Sequence, residues 1–469
     1  MRIINRMSAM ILFNAVALLM AWSVGGAMAA APAFNVEPGQ RQLFLDDVGV
    51  ENIENLTRTL HRPIKKGAVL RPTPPQESGL QNRCAPAWDP QAKIWKLWHI
   101  VSGDYSGTGY VESTDGLHWT KPSLGQVEVN GSRKNNYITI DESLGWPANA
   151  IMNVVIDPDD PDPSRRFKGL GHAFKREPVV SGDGINWKKL DVPSIKSSDE
   201  SNLTYDRLTR TFLATVKTGG RFGRAHALTM SKDFETWTEP KLMFEADELD
   251  QALGRERVRA RFADPTLKPP EFDIPQKYGV DVYNFGLFRY ESLYIGMPAM
   301  FYKTGRVSKD WPGFDELDLP EKVLTEVRKY GDWTGFHHVQ LACSRDLKHW
   351  HRVADRRPFI DASRLDSGGY DLQGIMPPSQ AILRGQKLWF YYTGGQSYAY
   401  ISIDTPYSGR AVCLAQLRRD GFISLDAGQM SGLVLTRPFK LMGSNLLVNV
   451  DAFKGELRVE VLDEEGGVA

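Results

Sequence analysis

The chain of 469 residues is 42% hydrophobic and 24% charged, enough to bury a sizeable core, which excludes a disordered tail and a small disulfide-stapled scaffold. Lys and Arg total 57, Asp and Glu also total 57, and no long run of one sign occurs, so no nucleic-acid partner is expected. With 42 glycines, 28 prolines and abundant aromatics, the composition suits many short strands and turns.

At the start, Arg2 and Arg6 precede a mostly apolar stretch from Met10 to Trp22, and Ala27-Met28-Ala29 has the small-x-small pattern that a signal peptidase needs. Residues 1–29 therefore read as a signal peptide. The mature chain is expected to be periplasmic or extracellular and free of the membrane once cleaved, because the apolar run is short for a span of about 20 residues. Cys84, Cys343 and Cys413 are an odd number for an oxidising destination, so at least one stays unpaired within the chain. No disulfide framework or metal-ligand spacing is visible, and neither metal nor cofactor is expected.

One short pattern organises the next 320 or so residues into a repeat architecture. Ser113-Thr114-Asp115-Gly116-Leu117-His118-Trp119 is echoed at Ser181 to Trp187, Ser231 to Trp237 and Ser344 to Trp350. Each copy follows an apolar or alternating stretch. It reads as a hairpin turn in which Ser and Asp side chains bond local amides and Trp packs at the start of the next strand.

Before each copy lies an extended segment, a polar turn and an aromatic strand. The first runs from Cys84–Trp88 into Ile94–Trp98, the second from Asn149–Ile156 into Arg166–Leu170, and the third from Asn202–Tyr205 into Thr211–Leu213. The fourth runs from Val282–Phe288 into Leu293–Ile295, and the fifth from Pro378–Leu383 into Leu388–Tyr392, with a worn hairpin at Arg419–Phe422. Helical insertions are expected at Glu245 to Arg261 and Pro320 to Lys329, the second as a lid. The expected fold is all-β: a five-bladed β-propeller over residues 30–430. A C-terminal β segment follows at 431–469, with strands at Leu433–Leu435, Leu446–Val450 and Leu457–Val461. About forty residues are too few for an independent sandwich, so the tail either docks on the propeller or belongs to a larger β-domain cut short.

Strand direction puts all the hairpins on one face of such a propeller. Inner strand starts and second-to-third loops fall on the other face, where function concentrates. Glu77 stands by the first inner strand, with Asp104 and Tyr105 above it. Asn149 and Asn153 mark the second blade, with Asp141 and Glu142 somewhat earlier. Asp199-Glu200 precede the third inner strand, with Arg221 and Arg224 on its loop. Asp281 and Tyr283 mark the fourth, with His337 and His338 nearby, and Asp366 and Asp371 the fifth.

Two or three carboxylates at the mouth of a funnel can do acid/base work on a glycosidic bond, with like-charge crowding raising one pKa to separate the roles. Taken singly, an Asp or Glu before a strand is more often a solvated turn residue. Glu77, Asp199 and Glu200 stand out as catalytic candidates because they sit at inner strand starts, and are expected to face each other across the axis. Asp281, Asp371, Arg224, Tyr105 and His337 are the candidate substrate contacts, Arg224 for a substrate anion. Trp146, Trp333 and Tyr398 are candidate stacking platforms.

The Ser-x-Asp-x-x-x-Trp hairpins, the Lys-Leu-Trp type second strands, the five units and the trailing β segment resemble the five-bladed β-propeller glycosidases related to glycoside hydrolase families 43, 32, 68 and 117. The hairpin is also similar to the sialidase Asp box, although sialidase propellers have six blades. The resemblance covers roughly Arg41 to Asp426. It implies acids at the inner strand starts of the first three blades, matched by Glu77 in the first and Asp199 or Glu200 in the third. The second blade departs, with Asn149 and Asn153 where an Asp is expected, and the Asn-Asp-Pro and Arg-Asp-Pro motifs of family 32 are absent. The implied function is an exported, exo-acting glycoside hydrolase on a polysaccharide or oligosaccharide. The alternative is a non-catalytic glycan-binding propeller.

Overall fold

The computed structural model describes residues 2–7, 36–317, 319, 321–397, 409–440, 445–463 and 467–468. The chain divides into two compact units, Arg62–Arg419 and a second made of Met1–His61 with Asp420–Ala469.

The larger unit is a five-bladed β-propeller of antiparallel blades. The second blade comprises Ile151–Ile156, Phe167–Gly171, Glu177–Ser181 and Lys188–Lys189, and the third Ser201–Asp206, Thr211–Gly220, Gly223–Ser231 and Lys241–Phe244. In the fourth, Tyr278–Tyr290 pairs with Leu293–Thr304, which pairs with a third strand split into Gly335–Val339 and Ala342–Ser344 before His351–Arg352. The inner strands of the first and fifth blades are also split, into Glu77–Gln81 with Ala87–Asp89 and Gly374–Met376 with Ile382–Arg384. Pro86, Pro377 and Pro378 fall in these breaks, where they have no amide to give the ladder. Second strands lie mid-sheet and are buried on both faces, so Leu293–Thr304 reads as a nearly continuous apolar run rather than an alternating one.

The fifth blade closes differently from expectation. Arg410–Arg418 pairs on one side with Lys387–Gly395 and on the other with Ile64–Leu70, so the fourth strand comes from the beginning of the unit. The worn hairpin at Arg419–Phe422 instead feeds Ile423–Ala427, which pairs with Leu56–Leu60 in the smaller unit. Propeller strands thus run from Ile64 to Arg418, inside the expected 30–430. The residues just outside them have their own sheet partners.

The four hairpins share one bonding scheme. Ser113 Oγ accepts from the amides of Asp115 and Gly116, and Asp115 Oδ1 accepts from those of Leu117 and His118 at 2.8 and 2.9 Å. Asp183, Asp233 and Asp346 repeat it. The residue after each Asp is left-handed, at φ 71° in Gly116 and 79° in Gly184, but also 66° in Phe234 and 64° in Leu347. All four turns follow third strands and therefore lie at one end of the blades. There Trp98 Nε1 donates to Gly184 O and Tyr391 OH to Gly116 O, each reaching from one blade into the next blade's turn.

The insertions form helices at Glu248–Ala263, capped by Asp247, and Glu321–Tyr330, which lies between the second and third strands of the fourth blade. Val327 of the latter is buried in a cluster with Phe272, Val307 and Phe314. In the smaller unit, Val50–Glu54, Gly432–Thr436, Arg2–Met7 and Leu457–Leu462 form a four-stranded sheet. The other residues of the expected leader, Met1 and 8–29, lie outside the described residues. Leu446–Val450, expected as a strand, is irregular and exposed, with no strand to pair with among the described residues.

Candidate functional site

The axis of the propeller is held by polar side chains that bond between blades. Asn82 Nδ2 donates to Tyr391 O, Asn153 Nδ2 to Ser201 O and Asn202 Nδ2 to Asn284 Oδ1. At the centre Arg83 makes a bidentate pair with Glu200, Nε to Oε2 at 2.5 Å and Nη2 to Oε1 at 2.6 Å, and Asn284 Nδ2 adds a third bond at 2.7 Å. Burial opposes ionisation of Glu200, but Arg83 overrides it and holds the carboxyl below its usual value.

Beside this network, at the end opposite the hairpins, a cleft of about 500 Å³ opens between the third and fourth blades. Asp199, Lys217, Gly223, Arg224, Asp281 and Lys303 are among its lining residues. Lys217 Nζ donates to Asp199 Oδ1 at 2.7 Å and lies 4.2 Å from the centre of the Tyr283 ring. Burial opposes the Asp199 charge too, yet Lys217 wins and lowers its pKa. Lys217 is itself lowered, since burial outweighs Glu200 and Asp199.

Asp281 Oδ2 accepts from Arg224 twice, from the backbone amide at 3.1 Å and Nη1 at 3.0 Å, and lies 3.3 Å from Lys303 Nζ. The approach of the Arg224 amide depends on Gly223. Its φ is +122°, and a Cβ there would stand 2.8 Å from Asp281 Oδ2. The Arg224 guanidinium rests among rings, 5.5 Å from the centres of Tyr283 and Phe301 and 5.7 Å from Trp333.

Of the expected site residues, the structure gathers Asp199, Glu200, Asp281, Arg224, Tyr283 and Trp333. His337 is behind them, fully buried and stacked on Phe301 at 4.2 Å; burial and then Arg410 and Arg224 push its pKa well below normal, so it is a neutral packing element near pH 7.

Glu77 has other company. Its carboxylate takes Thr73 N at 2.7 Å, Lys121 Nζ at 2.5 Å and Tyr137 OH at 3.4 Å, all within the first blade, and no bond or ion pair among the described residues joins it to Asp199 or Glu200. Tyr105 is buried against Tyr137 at 4.6 Å, with its hydroxyl spent on Ile138 O, so it offers no stacking face. Asp371 pairs with Lys65 at 2.6 Å and accepts from Tyr392 OH, inside the fifth blade. Asn153 is an inter-blade bond donor, and His338 bonds Tyr302 OH. Asp104, Asp141, Glu142 and Asp366 are exposed, Asp104 bonded to Asn130 and Glu142 to Arg133. Arg221 pairs with Glu248, Trp146 is exposed, and Tyr398 lies outside the described residues. The expected separation of roles by crowding is also corrected: Asp199 and Glu200 are both lowered, because each carboxylate has its own cation.

Sequence reasoning missed Lys217, Lys303 and Arg83. A signal existed for two of them, since Lys217-Thr218-Gly219 and Lys303-Thr304-Gly305 repeat one tripeptide at the end of a second strand. Arg83 was visible only as a lone charge in the otherwise uncharged stretch Gly79 to Trp88.

No family model and no curated protein matches the chain. Among solved structures it is similar to one from work on the GH130 family of mannoside phosphorylases, described as containing glycoside hydrolases that target β-1,2-mannosidic linkages in Candida mannan, at TM-score 0.43 and 12% identity over 82% of this chain and 99% of that one. It is also similar to an N-acetylgalactosamine deacetylase from F. plautii in complex with blood group B trisaccharide, at 0.41 and 11% over 78% and 96%. A third is a β-fructofuranosidase from Schwanniomyces occidentalis, at 0.39 and 12% over 76% and 58%.

Proposed function

We propose that this protein is an exported glycoside hydrolase acting on a polysaccharide or oligosaccharide in the cleft between the third and fourth blades. The observation that carries the reading is the meeting of Asp199, Asp281 and their cations in one open cleft beside the central Arg83–Glu200–Asn284 network. The Asp199 side chain is 46% exposed, against 5% for Glu200 and 0% for Asp281, so Asp199 is the carboxylate within reach of a bound sugar. Lys217 keeps it ionised, which suits it to take a proton from water attacking the anomeric carbon. Polar networks across the axis close the funnel behind the cleft, a shape that admits a chain end more readily than a chain middle and favours exo action.

One observation favours a second reading, a non-catalytic glycan-binding propeller: Asp199 and Glu200 are both held ionised, so neither is a protonated acid for a leaving oxygen at neutral pH. A panel of aryl glycosides and plant or algal polysaccharides separates the two. The hydrolase reading expects turnover that falls about 10²- to 10⁴-fold in Asp199→Asn, the usual size of general acid–base contributions. Binding without turnover on every member supports the second reading. Export is checked by N-terminal sequencing of the mature protein, expected to begin at Ala30.

A further inference from the structure

The sheet of the smaller unit runs in the order Val50–Glu54, Gly432–Thr436, Arg2–Met7, Leu457–Leu462, so one of its two inner strands comes from the expected leader. Arg2–Met7 is antiparallel to both neighbours, with Asn5 opposite Val434 on one side and Val459 on the other, and Met7 opposite Gly432 and Leu457. Leu457–Leu462 is an edge strand with no other strand beside it in the sheet. Removal of residues 1–29 strips the ladder from one side of Gly432–Thr436 and from Leu457–Leu462, across a gap two strand spacings wide, about 9.6 Å. Two facing rows of unpaired amides and carbonyls then call for another strand.

The chain holds one in the right place. Gly432–Thr436 and Leu457–Leu462 run parallel to each other, so the chain leaving Thr436 must travel back along the sheet to reach Leu457. Residues 446–450 lie on that return. Their sequence, Leu-Leu-Val-Asn-Val, reads as a strand, yet they are irregular and in solvent, Leu447 to 91%. Apolar and β-branched residues also suit an inner strand better than a sequence with two arginines, as in Arg2–Met7. The register agrees. With Val448 in the place of Asn5, Val450 comes opposite Leu457 and Leu446 opposite Thr436, so residues 451–456 and 437–445 each close as a hairpin loop.

We propose that residues 446–450 replace Arg2–Met7 as the inner strand of this sheet once the leader is cut away, so that the smaller unit is completed only in the mature chain. The inference rests on reading residues 1–29 as a cleaved leader, as the proposed export requires. Before cleavage the leader strand fills the slot and keeps residues 446–450 out of it. Afterwards the sheet runs antiparallel in chain order from Gly432 to Leu462.

The test is hydrogen–deuterium exchange, read by mass spectrometry, on the full chain and on the mature chain beginning at Ala30, both purified without passage through the export route. Amides of residues 446–450 should exchange at least about 100-fold more slowly in the mature chain, where they enter a ladder. Those of Leu457–Leu462 should stay protected in both forms, by Arg2–Met7 in one and by residues 446–450 in the other. Val448→Pro removes a ladder donor, so it should expose Leu457–Leu462 in the mature chain and leave that strand protected in the full chain. Protection of Thr211–Gly220 reports that the propeller is intact in every form. Equal exchange of residues 446–450 in the two forms, whether fast or slow, overturns the proposal. So does loss of protection at Leu457–Leu462 in the mature chain, or an equal effect of Val448→Pro on both forms. A protein that leaves the cell with Met1 in place, or stays inside, counts only against the leader reading.

Discussion

At the hairpin end of the propeller, Asp115, Asp183, Asp233 and Asp346 are each satisfied within a seven-residue turn, by amides two and three positions on. At the cleft end, Asp199 depends on Lys217, Asp281 on Arg224 and Glu200 on Arg83, partners 18, 57 and 117 residues away. Both sets of carboxylates are held charged where a shift is resolved, but by different means. Local amides come with the turn itself and leave the acid at the surface, so losing it disturbs one loop. Distant cations reach their acids only once the sheets have formed, Lys217 from the next strand of its blade and Arg224 and Arg83 from other blades, and where both members are buried, as in Arg83 and Glu200, losing one strands the other.

The largest expected effect tests that contrast directly. Glu200→Ala leaves Arg83 buried and unpaired and should cost about 3–5 kcal/mol, read by urea unfolding. Replacing both partners by apolar residues of similar volume should recover much of this, since no charge is then stranded. Next comes Gly223→Ala, which puts a Cβ against Asp281 at a strained φ. A cost of about 1–3 kcal/mol is expected, with weakened binding in the cleft and no change at the hairpins.

The smallest effect lies at the other end, where Asp233→Ala should cost about 1 kcal/mol by loss of exposed hydrogen bonds. This contribution has a predictable pH window. Slight burial opposes the Asp233 charge, but the amides of Thr236 and Glu235 hold its pKa down at about 2 in the folded chain. Its stabilisation is therefore complete above the unfolded value of about 3.9 and is lost as pH falls toward 2. The stability difference between wild type and Asp233→Ala should shrink across that interval and vanish only as pH falls through about 2. A difference undiminished at pH 2 would mean that the turn is held by something other than the charged aspartate.

The same contrast explains what could be read in the sequence. The hairpins, and with them the blade count, were legible because Ser, Asp and Trp act on one another within a few residues and the pattern recurs. Asp199, Glu200, Asp281 and Arg224 were placed correctly at one end of the blades by strand direction alone. Glu77 met the same criterion, but its side chain turns to Lys121 and Tyr137, a choice made by packing inside one sheet. Lys217 and Lys303 were hidden for a related reason: a lysine near the end of an apolar strand looks like an edge marker until the inner strand of its own blade brings up its carboxylate. The fourth strand of the fifth blade was misassigned because no local pattern says whether Arg410–Arg418 meets the strand that follows it or Ile64–Leu70.

That last pairing sets the order in which the protein can be made. Ile64–Leu70 emerges from the ribosome before any blade exists, and Arg410–Arg418 emerges after the other four are complete. Until the two meet, the first strand waits without its partner and the nascent arc carries open edges able to recruit strands from other chains. Joining the most distant segments of the unit is a high-contact-order step, expected to come late and to limit the rate of folding. Synthesis stopped before Arg410 would leave an arc with a permanent gap, because Ile64–Leu70 would have no strand to pair with in the fifth blade.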